Sequence, residues 1–205
     1  MADQATRERP ANVKEACLDE AYRILETDGI ETISIREIAR RLGVSHQAPY
    51  KHFDSRDHIV AALVARCYDE FARFLDARDR SPQPFEDLGN LAFAYLDYAG
   101  RHPVKYRLMF GTKLPPAEAH PDMLRGALHP YEAFLDRVSR MELRDPGDGM
   151  RDTHRQDAMF LWSTLHGMAS LLQADALSPL ALSARDRKDA IVRLMERLSI
   201  ALAPD

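Results

Sequence analysis

Polar side chains able to hydrogen-bond nucleic acid cluster just after a Gly-Val pair at residues 43–44. They supply imidazole, carboxamide, phenol and ammonium groups, and each of these groups can contact a base edge or a phosphate oxygen. The four residues are His46, Gln47, Tyr50 and Lys51. Their spacing within one short segment predicts a surface that meets a nucleic acid.

The charge around this segment favours the same partner. Between residues 36 and 56 five cations, Arg36, Arg40, Arg41, Lys51 and Arg56, stand against two acids, Glu37 and Asp54. The whole chain carries a formal net charge of −4, so the rest of the protein is acidic. A local cationic patch attracts phosphates to that patch alone. Arg40 and Arg41 have a second interpretation, as a solvated helix face rather than as base-reading residues.

A second group of residues combines aromatic rings with a histidine. Trp162 and His166 are four residues apart, so both lie on one face of a helix and can touch. Together with Tyr95, Tyr106, Met109, Phe110 and Phe134 they predict an apolar pocket with a few polar groups, the usual construction of a small-molecule site. The alternative is that these residues are core, with His166 hydrogen-bonded in place.

Metal, cofactor and catalytic motifs are not found in the sequence. The eight histidines include no His-x-x-x-His pair, and the two cysteines, Cys17 and Cys67, are far apart. We therefore expect no metal, no cofactor and no enzymatic activity. The polar start, the scarcity of cysteine and the short apolar runs favour a cytoplasmic protein that does not enter a membrane.

The elements that must position these residues are all helical. Apolar residues recur at helical spacing throughout, and no segment has the alternation of a strand. The predicted fold class is therefore all-α, with about nine helices. The predicted helices begin at Asn12, at Ser34 and at Ser45, each of which is a good N-cap, and then run over residues 55–77, 85–99, 103–110, 131–141, 153–174 and 183–202. The best loop predictions are residues 81–84, 111–116 and 145–152.

Residues 34–52 have the features of a helix-turn-helix. This motif needs a Gly-containing turn, a small residue where the helices cross, and apolar residues that tie both helices to a third. Gly43 and Ala39 supply the first two features, and the apolar residues are Ile35, Ile38, Leu42 and Val44. The alternative is a helical hairpin without a ligand, because the general motif is loose. Pro49 falls in the second helix and lacks the N–H that would bond to Ser45, so we expect a distorted or tight first turn.

Residues 12–64 resemble the N-terminal domain of the tetracycline-repressor (TetR) family of bacterial regulators. The matching positions are Gly29, Thr32, Ser34, Ile38-Ala39, Gly43-Val44-Ser45, Tyr50, His52-Phe53 and Arg56. The resemblance implies that Thr32, Tyr50 and Arg56 contact phosphates and that Phe53 belongs to the core. It also implies that the face around Ser45, His46, Gln47 and Lys51 approaches the bases. Ser34 and His52 complete the predicted DNA-contacting set, with packing beside Phe53 as the alternative for His52.

Residues 94–111 and 161–172 resemble one subgroup of this family, which is named for a Trp…His-Gly element. Here that element is Trp162, His166 and Gly167. The resemblance implies a DNA-binding domain at residues 1–58 and a ligand-binding and dimerisation domain at residues 59–205. The expected protein is a repressor that binds an inverted-repeat operator as a homodimer, paired through its last two helices, and that an unidentified small molecule releases. The alternative is an all-helical enzyme, or a ligand-binding protein without regulatory DNA binding.

Overall fold

The computed structural model describes residues 12–141, 153–174, 181 and 183–202. Within these residues the chain forms nine α-helices and two short 3-10 helices, at Ile30–Thr32 and Ala117–Ala119, and no strand. The α-helices are α1 (Val13–Asp28), α2 (Ile35–Leu42), α3 (Gln47–Tyr50), α4 (Arg56–Asp76), α5 (Pro84–Arg101), α6 (Pro103–Phe110), α7 (Pro121–Val138), α8 (Thr153–Gln173) and α9 (Ala184–Leu202). The predicted all-α class is confirmed.

Local capping signals account for several helix starts. The Asn12 side chain accepts a hydrogen bond from the Glu15 N–H at 3.2 Å, and the Ser34 hydroxyl accepts one from the Glu37 N–H at 3.1 Å. Each bond satisfies one of the backbone donors that a helix N-terminus leaves without an intrahelical partner. Both predicted helix starts are therefore confirmed by the chemistry that predicted them.

The helix α7 differs from its predicted bounds. The prediction of residues 131–141 was wrong, because the helix already begins at Pro121, contains Pro130 and ends at Val138. A proline inside a helix removes one backbone hydrogen bond and usually marks a boundary. Here Met123 and Phe134 are both buried, so apolar packing holds the helix on each side of Pro130.

The loop predictions have different outcomes. Residues 111–116 form a loop as predicted, whereas α5 begins at Pro84, so the predicted loop at residues 81–84 ends one residue earlier. Residues 145–152, the third predicted loop, lie outside the described residues.

One compact unit comprises residues 1–69 and 107–127. Within it α1 packs against α2 and α3, and apolar residues from these helices and from the start of α4 form a core that includes Cys17, Ala21, Ile24, Ile38, Phe53, Ile59 and Leu63. The buried Tyr68 hydroxyl donates to the Met109 carbonyl at 2.9 Å. This unit holds the residues predicted to meet DNA.

The second unit comprises residues 70–106 and 128–205, and in it α5 packs against α8, which also contacts α9. The loop before α5 is held by the buried carboxylate of Asp87, which accepts a hydrogen bond from Arg80 at 2.8 Å. Arg137, also buried, places its Nε 3.6 Å from the same carboxylate. A buried charge is tolerable when it is paired in this way.

Candidate functional site

The turn between α2 and α3 is built on Gly43. This residue has φ of +67°, a left-handed conformation that a residue with a Cβ rarely adopts. The N–H groups of Gly43 and Val44 bond to the carbonyls of Arg40 and Ala39, at 3.3 and 3.1 Å, and so close the end of α2. The chain can then turn sharply into α3, as the helix-turn-helix pattern predicts.

The helix α3 is a single turn, and Pro49 explains why. The helix begins at Gln47 after His46, which makes no side-chain cap hydrogen bond, so the predicted N-cap at Ser45 is wrong. The Ala48 N–H instead bonds to the Ser45 carbonyl at 3.0 Å, in the tighter i to i−3 pattern. With that carbonyl already used, the missing N–H of Pro49 leaves no acceptor without a partner. The expected tight first turn is therefore present.

Most of the residues predicted to contact DNA are exposed. Ala48 and Pro49 face the core, while the polar residues around them face solvent, and 41% of the Tyr50 side chain is accessible. The exposed residues of the predicted set are Thr32, Ser45, His46, Gln47, Tyr50, Lys51 and His52, and the partly exposed ones are Ser34 and Arg56. The His52 ring lies 6.4 Å from that of the buried Phe53, edge to face, so this residue combines an exposed surface with a packing contact.

Ion pairs reduce the charge of the cationic patch. Glu37 accepts hydrogen bonds from Arg40 at 2.6 and 2.8 Å and from Arg41 at 2.7 Å, and Arg41 also reaches Asp28 at 2.6 Å. These hydrogen bonds from two guanidinium groups lower the pKa of Glu37 to about 2. This pairing favours the second interpretation of Arg40 and Arg41, as a solvated helix face, which stays a prediction.

Two cations of the patch keep their charge available. Arg36 and Lys51 are exposed and make no ion pair within the part of the chain that the structure describes. Lys51 belongs to the predicted set, and Arg36 does not. Arg36 lies in the first turn of α2, before the paired Arg40 and Arg41. This position could have indicated from the sequence that Arg36 is a candidate for the DNA-contacting set.

In the second unit, three predicted ligand-binding residues form a polar cluster of two buried tyrosines and the partly buried His166. The Tyr106 hydroxyl lies 2.7 Å from His166 Nδ1 and 2.9 Å from the Tyr95 hydroxyl, and the Tyr95 hydroxyl lies 3.4 Å from the same nitrogen. Both tyrosines are buried. Burial lowers the pKa of His166, because a low-dielectric surrounding disfavours the imidazolium ion.

The other four predicted ligand-binding residues form two pairs, one in each compact unit. Phe134 is buried 6.0 Å from the Tyr95 ring, and Trp162 is partly buried 6.1 Å from the ring of Tyr131. Met109 and Phe110 belong to the first unit, where both contact Tyr68. Tyr131 was not in the predicted set, although it lies on the same helix as Phe134.

Trp162 and His166 were expected to touch across one helical turn. The Trp162 ring packs against that of Tyr131 at 6.1 Å, and the His166 ring lies 5.7 Å from that of Tyr106. The two side chains share a face of α8.

Two further classes of feature are absent from the described residues. No group of three or more His, Cys, Asp or Glu side chains there could hold a metal ion. Among the described helices, none combines the length and the apolar character that a membrane span requires. Cys17 and Cys67 are buried and form no disulfide among the described residues.

Comparison with known families decides the relationship. A sequence model described as "Tetracyclin repressor-like, C-terminal domain" matches residues 88–198, more than half of the chain, and one described as "Bacterial regulatory proteins, tetR family" matches residues 18–63. The chain belongs to the TetR family. The first match covers the polar cluster of Tyr95, Tyr106 and His166, and the second covers the helix-turn-helix.

Individual relatives of this TetR-family chain have low sequence identity to it. The HTH-type transcriptional regulator Rv1816 of Mycobacterium tuberculosis is 31% identical over 115 residues, covering 54% of this chain and 49% of the relative. The chain thus spans about half the length of this curated relative. The uncharacterized HTH-type transcriptional regulator Rv0681 of the same species is 27% identical over 167 residues, covering 80% of this chain and 72% of the relative.

A solved structure has the same fold. A protein of unknown function from Rhodococcus sp. RHA1 superposes with a TM-score of 0.77 at 25% identity, covering 98% of this chain and all of the other. The all-α class predicted from helical periodicity is thus shared with this relative.

Proposed function

We propose that this TetR-family protein is a DNA-binding transcriptional regulator that inserts α3 into the major groove. The observation that carries the proposal is α3 itself, a one-turn helix whose Ala48 and Pro49 face the core while His46, Gln47 and Tyr50 face solvent. Exposed imidazole, carboxamide and phenol groups on a short helix beside a left-handed glycine turn suit base and phosphate contacts. The relatives named above are described as transcriptional regulators.

The proposed contacts are those of the predicted set other than Arg56, with the ion pairs taken into account. Lys51 is the cation of that set that makes no ion pair among the described residues, and Arg36 joins it from α2. Tyr50 is proposed to donate to a phosphate through its hydroxyl group. Thr32 is proposed to contact a phosphate when its hydroxyl, which donates to the Gly29 carbonyl at 2.7 Å, exchanges that bond for one to a phosphate oxygen. The boundary between the DNA-binding domain and the rest, after residue 58, stays a prediction.

A homodimer paired through α8 and α9 is the proposed active form. Large apolar side chains are exposed on both helices: Phe160 and Leu171 on α8 are 50% and 52% accessible, and Ile200 on α9 is 69% accessible. Gly167 lies between the two α8 residues, and nothing lies within 4 Å of where its Cβ would be. Such a surface suits close approach of a symmetry-related helix.

The sequence-based choice of apolar residues on α9 needs one correction. In the sequence, helical spacing predicts one apolar stripe on the last helix that faces the partner, made of Ile191, Leu194, Met195, Leu198 and Leu202. Met195 and Leu198 are instead buried within the chain itself. Leu202, a further member of that stripe, has a side chain outside the described residues. Ile200 and Val192 are exposed apolar residues of α9, so they are the better candidates for the dimer contact.

Repression relieved by a small molecule is the proposed mode of control. The cluster of Tyr95, Tyr106 and His166 offers neutral hydrogen-bonding groups among aromatic rings, which suits an aromatic ligand without a full charge. The helix α4 contributes residues to both compact units, so we propose that it transmits the effect of the ligand. A ligand can release DNA only if it binds the DNA-incompetent arrangement more tightly. Trp162, the single tryptophan, gives this proposal a fluorescence signal.

The decisive experiment is selection of bound duplexes from a random DNA pool. An inverted repeat should emerge, because the symmetry of the operator mirrors that of a dimer. Tyr50→Ala should then weaken binding to the selected duplex without changing the thermal unfolding midpoint, since the Tyr50 side chain is exposed. Equal affinity for every sequence would contradict the proposal. A cytoplasmic location stays a prediction from the cysteine content.

A further inference from the structure

Arg56 makes contacts that the sequence did not predict. It is the first residue of α4, and its guanidinium group donates to two backbone carbonyls, from Nη2 to Ile30 at 2.8 Å and from Nε to Ile33 at 3.1 Å. Its ion pair with Glu31 is longer, at 3.5 Å, and that glutamate is almost fully exposed. The two carbonyls are therefore the main partners of Arg56.

These carbonyls belong to the turn that leads into the helix-turn-helix. Residues 30–32 form a 3-10 helix, and Ile33 follows it directly before Ser34, the N-cap of α2. The Ile30 carbonyl already accepts the Ile33 N–H at 3.2 Å, so the guanidinium adds a second bond to it. Arg56 thus joins the start of α4 to both ends of this turn.

Thr32 lies between the two carbonyls that Arg56 holds. Its hydroxyl donates to the Gly29 carbonyl at 2.7 Å, which fixes the side chain against the same turn. Ser34, the next polar residue, caps α2 and so sets where that helix begins. A displacement of the turn would move Thr32, whereas the buried Ile35, Ile38 and Ala39 hold α2 and its Arg36 in place.

We infer that Arg56 serves DNA binding as a positioning residue, through the turn at residues 30–33, rather than as a phosphate contact of its own. The inference rests on the proposed function of DNA binding. The planar guanidinium fork reaches two carbonyls at once, whereas a lysine ammonium is a point charge on a flexible stem. Charge alone should therefore not replace Arg56.

The test compares Arg56→Lys, Arg56→Ala and Lys51→Ala on the duplex that the wild-type protein selects, over a series of salt concentrations. Both Arg56 variants should weaken binding by roughly tenfold or more, equivalent to the loss of one charge-assisted hydrogen bond. The slope of log affinity against log salt should stay at the wild-type value for both. Lys51→Ala is the matched control, and it should reduce the slope by about 0.9 for each phosphate contact that the substitution removes.

Amide hydrogen exchange gives a readout that is independent of DNA. Exchange at Thr32 and Ile33 should accelerate in both Arg56 variants and stay unchanged in Lys51→Ala. Rescue of affinity by Arg56→Lys, a reduced salt slope in Arg56→Ala, or unchanged affinity in both variants would each overturn the inference. If Arg56→Ala does not fold, Arg56→Lys alone decides between positioning and direct contact. If the wild-type protein selects no duplex, the proposed function itself fails, which is a different result.

Discussion

The Tyr106 hydroxyl and His166 Nδ1, on α6 and α8, lie 2.7 Å apart within the second unit. At this distance the hydrogen bond is short, and the neutral imidazole can either accept or donate it. Because burial lowers the pKa of His166, the folded protein prefers the neutral ring. The bond thus links the stability of this unit to the protonation of one histidine.

The stability of the protein should depend on pH through His166. Its pKa is 6.5 in the unfolded chain and lower in the folded one, so the unfolded state binds more protons as pH falls. The contribution of His166 to the free energy of unfolding is therefore complete above pH 6.5 and is lost as pH falls through the folded pKa. Urea unfolding between pH 7.5 and 5 should show this decline, and His166→Gln should reduce it. An unchanged pH dependence in that variant would refute the assignment.

The variant Tyr106→Phe tests the hydrogen bond between Tyr106 and His166 separately from the protonation of the His166 ring. Loss of the hydroxyl should lower the free energy of unfolding at pH 7.5 by about 1–3 kcal/mol, because it removes hydrogen bonds to His166 and to Tyr95 and leaves their buried polar groups with one partner fewer. The same urea titrations measure it.

Gly126 should tolerate no side chain, although it lies inside α7. A Cβ there would lie 2.7 Å from the Cβ of Tyr68, closer than real Cβ contacts come. We expect Gly126→Ala to destabilise the protein by about 1–3 kcal/mol, because overpacking outweighs the gain in helix propensity of about 1 kcal/mol. Gly89→Ala in α5 is the matched control, since nothing lies within 4 Å of its Cβ position, and it should be stabilising. Thermal unfolding of both variants gives the comparison.

Arg36 and Lys51 should dominate the salt dependence of DNA binding. Arg36→Ala and Lys51→Ala should each reduce the log–log salt slope by about 0.9 for every phosphate contact that they remove. Arg40→Ala should leave the slope close to the wild-type value, because Glu37 already pairs with Arg40. Fluorescence anisotropy with the selected duplex measures all three slopes. A larger effect in Arg40→Ala than in Lys51→Ala would reverse the proposed roles.

The dimer should depend on the exposed apolar residues of the last two helices. Phe160→Glu combined with Ile200→Glu should give a folded monomer in analytical ultracentrifugation, since each carboxylate would lose its hydration in the interface. Leu124→Glu is the control, because Leu124 is an exposed apolar residue of α7, outside the proposed interface. A stable dimer in the double variant would move the interface away from α8 and α9.

The features predicted correctly from the sequence depend on residues close together in the chain. The caps at Asn12 and Ser34 need a partner only three residues away, and Gly43 needs no partner at all. The full extent of α7 could not be predicted, because packing on both sides of Pro130 decides it. The partners of Arg56 lie 23 and 26 residues before it, and no local pattern indicates them.

The same distinction, between contacts close together in the chain and contacts far apart in it, applies to the candidate site. The exposure of the α3 residues follows from the helix-turn-helix pattern. Tyr106 and His166 are 60 residues apart in the chain, so their pairing requires α6 and α8 to meet. The spacing of aromatic residues in the sequence does not specify that contact.

Pro49 restricts the backbone of α3. A proline ring fixes φ near −65°, and here the ring is buried while its carbonyl accepts the N–H groups of both His52 and Phe53, at 2.9 and 3.0 Å. The backbone of α3 therefore has little conformational entropy left to lose when a complex forms. In the proposed complex, adaptation to differences among operators would then come from rotamers of the exposed side chains and from bending of the duplex. The helix would act as a rigid template to which the DNA conforms.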